Sequence, residues 1–119
     1  MAGWRVLVLG VDPTKLSEWD PAPVLSEIER GRRRFDELGI EADWCLADLH
    51  GDPQNEFAAA LAGNDYACVV IGGGLRSSVP GLDLLFETVV NLVRTRQPDA
   101  AIAFNHRPDD CADAALRWL

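Results

Sequence analysis

The residues of this chain that can bind or react gather at a few points. The densest is "VVIGGGLRSSVPG", residues 69 to 81. There, three glycines follow a run of β-branched residues and precede Arg76, Ser77 and Ser78. Glycine lets a backbone come close to a ligand and take positive φ, and N–H groups ahead of a helix attract anions. Gly72, Gly73 and Gly74, with Arg76, Ser77 and Ser78, can therefore cradle a phosphate or carboxylate. The plainer alternative is a tight turn between a strand and a helix. The spacing matches neither familiar phosphate loop. A dinucleotide fingerprint needs G-x-G-x-x-G after the first strand, whereas Gly72-x-Gly74-x-x-Ser77 follows the third strand and lacks the last glycine. The Gly-Lys-Ser/Thr ending of a Walker loop is absent.

Other polar residues fall just after apolar runs. Asp12 and Asp48 can hold a magnesium ion between them; as ordinary loop residues, Asp12 opens a turn with Pro13 and Asp48 is solvated, and base rates favour this second reading. No metal ligand is assigned. His50 and His106 each suit a general base or a phosphate partner, although an exposed loop histidine is the commoner role. Asn105 and Arg107 flank His106. Cys111 falls in the first turn of the last expected helix, where the helix terminus lowers a thiol pKa and Asp109 and Asp110 raise it; a small inward-facing helix residue is the expected role. There is no G-x-S-x-G elbow and no Ser-His-Asp order, so a nucleophilic hydrolase has no support.

The elements that position these residues follow from periodicity. Residues 4 to 11, "WRVLVLGV", suit a strand buried on both faces of a parallel sheet. A long proline-bearing loop, "DPTKLSEWDPAP", follows. From Pro23 the pattern turns helical, with Val24, Leu25, Ile28, Phe35 and Leu38 mostly on one face and Gly39 as the C-terminal stop. "IEADWCLADL" reads as a second strand. Asp52 caps a short helix that has Pro53 in its first turn and ends at Gly63. "YACVVIG" is the third strand. After the glycines, Leu82, Leu85, Phe86, Val89 and Val93 mark a helix expected to start near Pro80 and to stop before Pro98. "AAIAFN" is the fourth strand, and "PDDCADAALRWL" a final helix.

Strands alternating with helices imply a parallel sheet covered on both faces, with right-handed crossovers. The expected fold is therefore a three-layer α/β/α sandwich in one domain spanning residues 1–119. Its four strands take the order 2-1-3-4, as in flavodoxin-like and Rossmann-like folds. In that order ligands bind beyond the carboxyl ends of strands 1 and 3, where the chain switches direction. The loops there carry Asp12, Gly72 to Ser78, Asn105 and His106. His50 and His106 belong to opposite edges of the sheet.

Composition bounds the partners. The chain has 119 residues, nearly half apolar and a quarter charged, which suits one packed domain. A formal net charge of −8 repels nucleic-acid backbones and anionic membranes, so neither is an expected partner. The three cysteines, Cys45, Cys68 and Cys111, form no disulfide or zinc pattern. Cys45 and Cys68 lie in apolar strand runs and read as core, and a reduced, cytoplasmic setting fits best. No apolar run is long enough for a targeting or membrane segment.

Two resemblances bear on function. "DYACVVIGGGLRSSVPGLDLLFETVV" looks like the third strand, loop and helix of a response-regulator receiver domain, with "IAFN" as the next strand. Gly72 stands where such a domain has its phosphoacceptor Asp, the acidic pair after strand 1 is reduced to Asp12, and the fifth strand with its Lys is missing. The resemblance therefore implies a receiver without phosphotransfer. Over nearly its full length the chain also resembles a group of small single-domain flavodoxin-like and Rossmann-like proteins of unknown function. The shared stretches are "VLGVDP", "DELGIEADWCLADL", "CVVIGGGLR", "LLFETVVNLV" and "IAFNHRPDDCADAALRW". That resemblance implies a stand-alone domain and assigns no catalytic residue. Flavodoxins bind flavin phosphate with a glycine-rich loop after strand 1, and "VDPTKL" has no glycine.

Two functions compete at this point. In the first, a small anionic ligand sits between the loops after strands 1, 3 and 4, with its anionic group on Arg76, Ser77 and Ser78 and the rest against Asp12, Asn105 and His106. In the second, the chain is a non-catalytic interaction or regulatory module. Neither names a cofactor or a reaction. A homodimer through strand 4 and the C-terminal helix is also expected. "AAIAFN" has no charge to guard a sheet edge, and burying Trp118 with Leu116 and Leu119 is worth several kcal/mol at about 25 cal/mol per Å².

Overall fold

The computed structural model describes residues 4–17 and 20–119; Glu18 and Trp19, in the long loop, lie outside it. The elements run β1 (Arg5–Val11), a 3₁₀ turn (Pro13–Lys15), α1 (Ala22–Glu37), β2 (Glu41–Ala47), α2 (Pro53–Leu61), β3 (Cys68–Ile71), α3 (Gly74–Ser77), α4 (Asp83–Arg96), β4 (Ala101–Phe104), a second 3₁₀ turn (Pro108–Asp110) and α5 (Cys111–Leu116). The strands form one sheet in the order β2-β1-β3-β4. Every neighbouring pair is parallel. The register sets Val8 beside Trp44 and Val70, and Gly10 beside Leu46.

The alternation of side chains along β1 and β3 divides the core into two layers. Val6, Val8, Cys68 and Val70 face α1 and α5, where they meet Phe35, Ala112 and Ala115. Leu7, Leu9, Val69 and Ile71 face the opposite way, toward Phe57 and Leu61 of α2 and Val89 and Val93 of α4. Both faces of the central strands are thus closed to water, which is why those strands read as unbroken apolar runs.

Local signals act as their chemistry dictates. Asp52 accepts from the Asn55 N–H at 3.2 Å and caps α2. Gly39 ends α1 at φ 68° and Gly81 turns the chain into α4 at φ 87°, both in the left-handed region that favours glycine. Three features differ from the sequence reading. The stretch after the glycines is itself one helical turn, α3, so the chain bends twice before α4 starts at Asp83. Leu25, expected on the buried face of α1, is 43% exposed. Cys45 is only half-buried, because β2 is an edge strand; its Sγ donates to the Glu56 carbonyl at 3.7 Å. Among the described residues no helix is long and apolar enough to cross a membrane.

Candidate functional site

A cavity of about 250 Å³ opens where β1 and β3 end, on the face that α1 and α5 cover. Its walls are mostly apolar. Val8, Val11, Leu16, Val24, Ile28, Trp44 and Leu46 supply them, with Pro108 and Cys111 closing one side. Gly10 helps make the space. It lies on the same face as Val8 and brings no side chain, so β1 carries a notch opposite Leu46. Trp44 is fixed by an edge-on contact with Phe35 at 6.1 Å and by the Arg32 guanidinium 5.2 Å above its ring. Polar groups reach the lining from Glu27 of α1, from Gly72 to Gly74, Ser77 and Ser78, and from Asn105, His106 and Arg107.

The glycine loop is held chiefly by the protein itself. The Gly72 N–H donates to the Leu9 carbonyl at 2.7 Å. The Gly73 N–H donates to Asn105 Oδ1, also at 2.7 Å. Leu75, Arg76, Ser77 and Ser78 donate to the carbonyls of Gly72, Gly73 and Gly74. The Gly74 N–H has no acceptor among the described residues. An anion therefore cannot collect a fan of loop amides here, as it does in a phosphate loop. The reason for glycine is steric instead. A Cβ on Gly72 would stand 2.9 Å from Leu9 O, and one on Gly73 would stand 3.0 Å from His106 O. At Gly74 the nearest atom would be Val11 Cγ2, at an ordinary 3.5 Å.

This contrast gives an expected result. Gly72→Ala should cost about 1–3 kcal/mol by overpacking against backbone. Gly74→Ala should be neutral or stabilising by up to about 1 kcal/mol, since it begins a helical turn. Urea unfolding of the two variants measures the difference; equal stabilities would refute the steric account.

Asn105 is the joint of the site. It is 4% exposed, and its side chain uses both ends. Oδ1 accepts from Gly73, while Nδ2 donates to the Arg107 carbonyl at 3.0 Å and to Cys111 Sγ at 2.8 Å. The loops after β3 and β4 are thereby tied to each other and to the start of α5. Ser78 is the opposite case. It is 7% exposed, lines the cavity, and its Oγ has no hydrogen-bond partner among the described residues. A buried hydroxyl in that state costs about 1–3 kcal/mol.

Of the residues expected to bind a ligand, Gly72, Gly73, Gly74, Ser77, Ser78, Asn105 and His106 all line the cavity, whereas Asp12 and Arg76 do not. Each of those two is occupied elsewhere. Asp12 caps its own turn, accepting from Thr14 N at 2.9 Å and Thr14 Oγ1 at 2.6 Å. Arg76 donates from Nη2 to the Asn105 carbonyl at 2.7 Å. Its guanidinium carbon lies 5.8 Å from the Phe86 ring centre and 5.7 Å from that of Phe104. Two aromatic rings and a carbonyl hold this exposed cation outside the lining of the cavity. Asp48 accepts from the His50 N–H at 2.9 Å in a turn of its own. Among the described residues no cluster of three metal-ligating side chains exists. His50, after β2, and His106, after β4, belong to opposite edges of the sheet.

The thiols are poor nucleophiles. Burial, with Asp110 and Asp109 adding to it against the Asn105 hydrogen bond, pushes Cys111 up to about 12. Burial likewise raises Cys68 to about 11. Cys111 lines the cavity as a buried thiol, held in its protonated form by that burial. The α1 and β2 contributions, Glu27, Val24, Ile28, Trp44 and Leu46, escaped the sequence reading; Gly10, which interrupts a buried apolar strand, was the signal for them. No protein-family model, no curated protein and no solved structure matches this chain.

Proposed function

We propose that this chain is a small-molecule-binding domain whose ligand has an apolar body and one anionic group. The ligand sits at the carboxyl edge of the sheet, between the loops after β1, β3 and β4. The observation that carries this reading is an apolar cavity at the switch point whose lining includes Ser78 and Gly74, residues with a hydroxyl and a backbone N–H that have no partner among the described residues. The apolar body lies on Val8, Ile28, Leu46 and Trp44. The anionic group meets Ser78 and Gly74, with His106 and Arg107 at the mouth; the Ser77 hydroxyl already donates to the Gly73 carbonyl at 3.2 Å. Size narrows the class. At about 250 Å³ the cavity falls below the roughly 300–1,000 Å³ of drug-sized sites, so a dinucleotide or a flavin would not be enclosed. Free cysteines support a reduced, cytoplasmic setting. A second reading, an interaction module, draws on Phe104, Leu116 and Trp118, which are exposed around β4 and α5.

A panel of small aromatic and aliphatic carboxylates and phosphates, screened by thermal shift, tests the proposal. A compound present at about 100 times its Kd should stabilise the protein by about 2.7 kcal/mol. Ser78→Val should abolish that gain while keeping the fold, since it removes an unpartnered hydroxyl. Inorganic phosphate alone should give no shift. A response to free phosphate together with none to any apolar acid would overturn the reading.

A further inference from the structure

We propose that the chain forms a two-fold homodimer by pairing β4 of one copy with β4 of another, so that the sheet continues across the seam. The two edges of the sheet differ in charge. β2 carries Glu41 and Asp43, whereas Ala101–Phe104 has no charged residue. Arg5 of β1 bridges both carboxylates, at 2.6 and 3.2 Å, so the β2 edge is a charged, ion-paired one that discourages strand addition, and the uncharged β4 edge has no such guard. Apolar side chains flank β4 on both sides. Phe104, 40% exposed, meets Phe86 of α4 in a tilted ring contact at 5.8 Å. Leu116 and Trp118, 39% and 60% exposed, lie at the end of α5. Arg117, between them, donates from Nη2 to the Phe104 carbonyl at 3.0 Å, which brings this end of α5 to the edge.

The register follows from the ladder. The Ala101 N–H donates inward, to the Ala67 carbonyl. Alternation then leaves Ile102 and Phe104 as the residues whose backbone groups face outward. A two-fold axis at Ala103 sets Ile102 of one copy opposite Phe104 of the other, as hydrogen-bonded pairs, with Ala103 facing its own counterpart. Opposed residues share a face, so Ile102 packs on Phe104, while the small Ala103 leaves room for Trp118 on the other side. This self-complementarity is what selects a second copy over a foreign strand. Arg117 must release the Phe104 carbonyl for the pairs to close. The three exposed side chains offer on the order of 300 Å² per copy, taking 150–250 Å² for a whole aromatic group. That falls well short of the roughly 800 Å² per partner of a standard stable complex, so the dimer dissociates on dilution.

Sedimentation velocity of the full chain from about 1 to 500 µM tests this, because a weak self-association shows as concentration-dependent mass. The expected result is a monomer–dimer equilibrium with a midpoint of some tens of micromolar. Trp118→Ala and Phe104→Lys should each weaken it by about tenfold or more, and Arg117→Ala should strengthen it by freeing the edge carbonyl. Circular dichroism checks each fold; should Phe104→Lys fail to fold, the mostly solvent-exposed Trp118→Ala carries the test. A monomer at every concentration, which would leave the edge to a foreign strand, overturns the proposal. So does a dimer that neither substitution weakens.

Discussion

Replacing Asn105 with Ala is expected to destabilise the protein by about 3 kcal/mol, roughly a 10 °C fall in Tm for a chain of this size. The change removes three hydrogen bonds at once, those to Gly73 N, Arg107 O and Cys111 Sγ. More important is what it leaves behind. The Gly73 N–H then has no acceptor in a crowded loop, and such an orphan adds to the lost bonds. Asn105→Asp separates the two ends of the side chain. It keeps an acceptor for Gly73 but donates nothing to Arg107 or Cys111, and it adds a charge near Asp109 and Asp110. It should be at least as destabilising as Ala, because it buries an unpaired charge with an acceptor facing the Arg107 carbonyl. Thermal and urea unfolding of both variants measure this. Wild-type stability in Asn105→Ala would mean that the two loops are held by something other than this side chain.

Gly31→Ala should be destabilising by about 2 kcal/mol or more, against the usual trend. In the middle of a helix Ala normally gains about 1 kcal/mol over Gly. Here a Cβ would clash with the Pro108 carbonyl oxygen and come within 3.0 Å of the Trp44 ring. The first contact is backbone and cannot give way cheaply, so α1 would have to lift from the turn that precedes α5. That turn and Trp44 both line the cavity, and Trp44 fluorescence should shift with the loss of stability. A stabilised Gly31→Ala protein would show that α1 does not sit this close.

Much of the fold was legible because a few residue types act locally. The unbroken apolar runs of β1 and β3 announce strands covered on both faces, Asp52 and Gly39 mark helix ends, and alternation of element types then leaves few topologies. The sheet order β2-β1-β3-β4 follows from that pattern. The site was legible only in outline. The loops that meet at the switch point could be named, but the use each polar side chain makes of them could not. Asn105 and Gly73 are 32 residues apart in sequence, and their bond exists only once β3 and β4 lie side by side. Arg76 beside three glycines suggests an anion site, yet Phe86 and Phe104 arrive from α4 and β4 to stack on it. Nor could the sequence alone separate glycines that serve a ligand from glycines that allow backbones to touch, because both demand the same missing Cβ.

In the proposed function the cavity against Trp44 and Ser78 holds the ligand, and the glycine loop is not an anion cradle. Amide and indole chemical shifts of the ¹⁵N-labelled chain, followed during titration with a small aromatic carboxylate and in parallel with inorganic phosphate, test it most directly. The carboxylate should move the Gly74 and Ser78 amides, the Trp44 indole N–H and the Cys111 amide together, with little change at Gly72 and Gly73, while phosphate moves none of them. Shifts confined to the glycine loop and produced equally by phosphate would contradict the account.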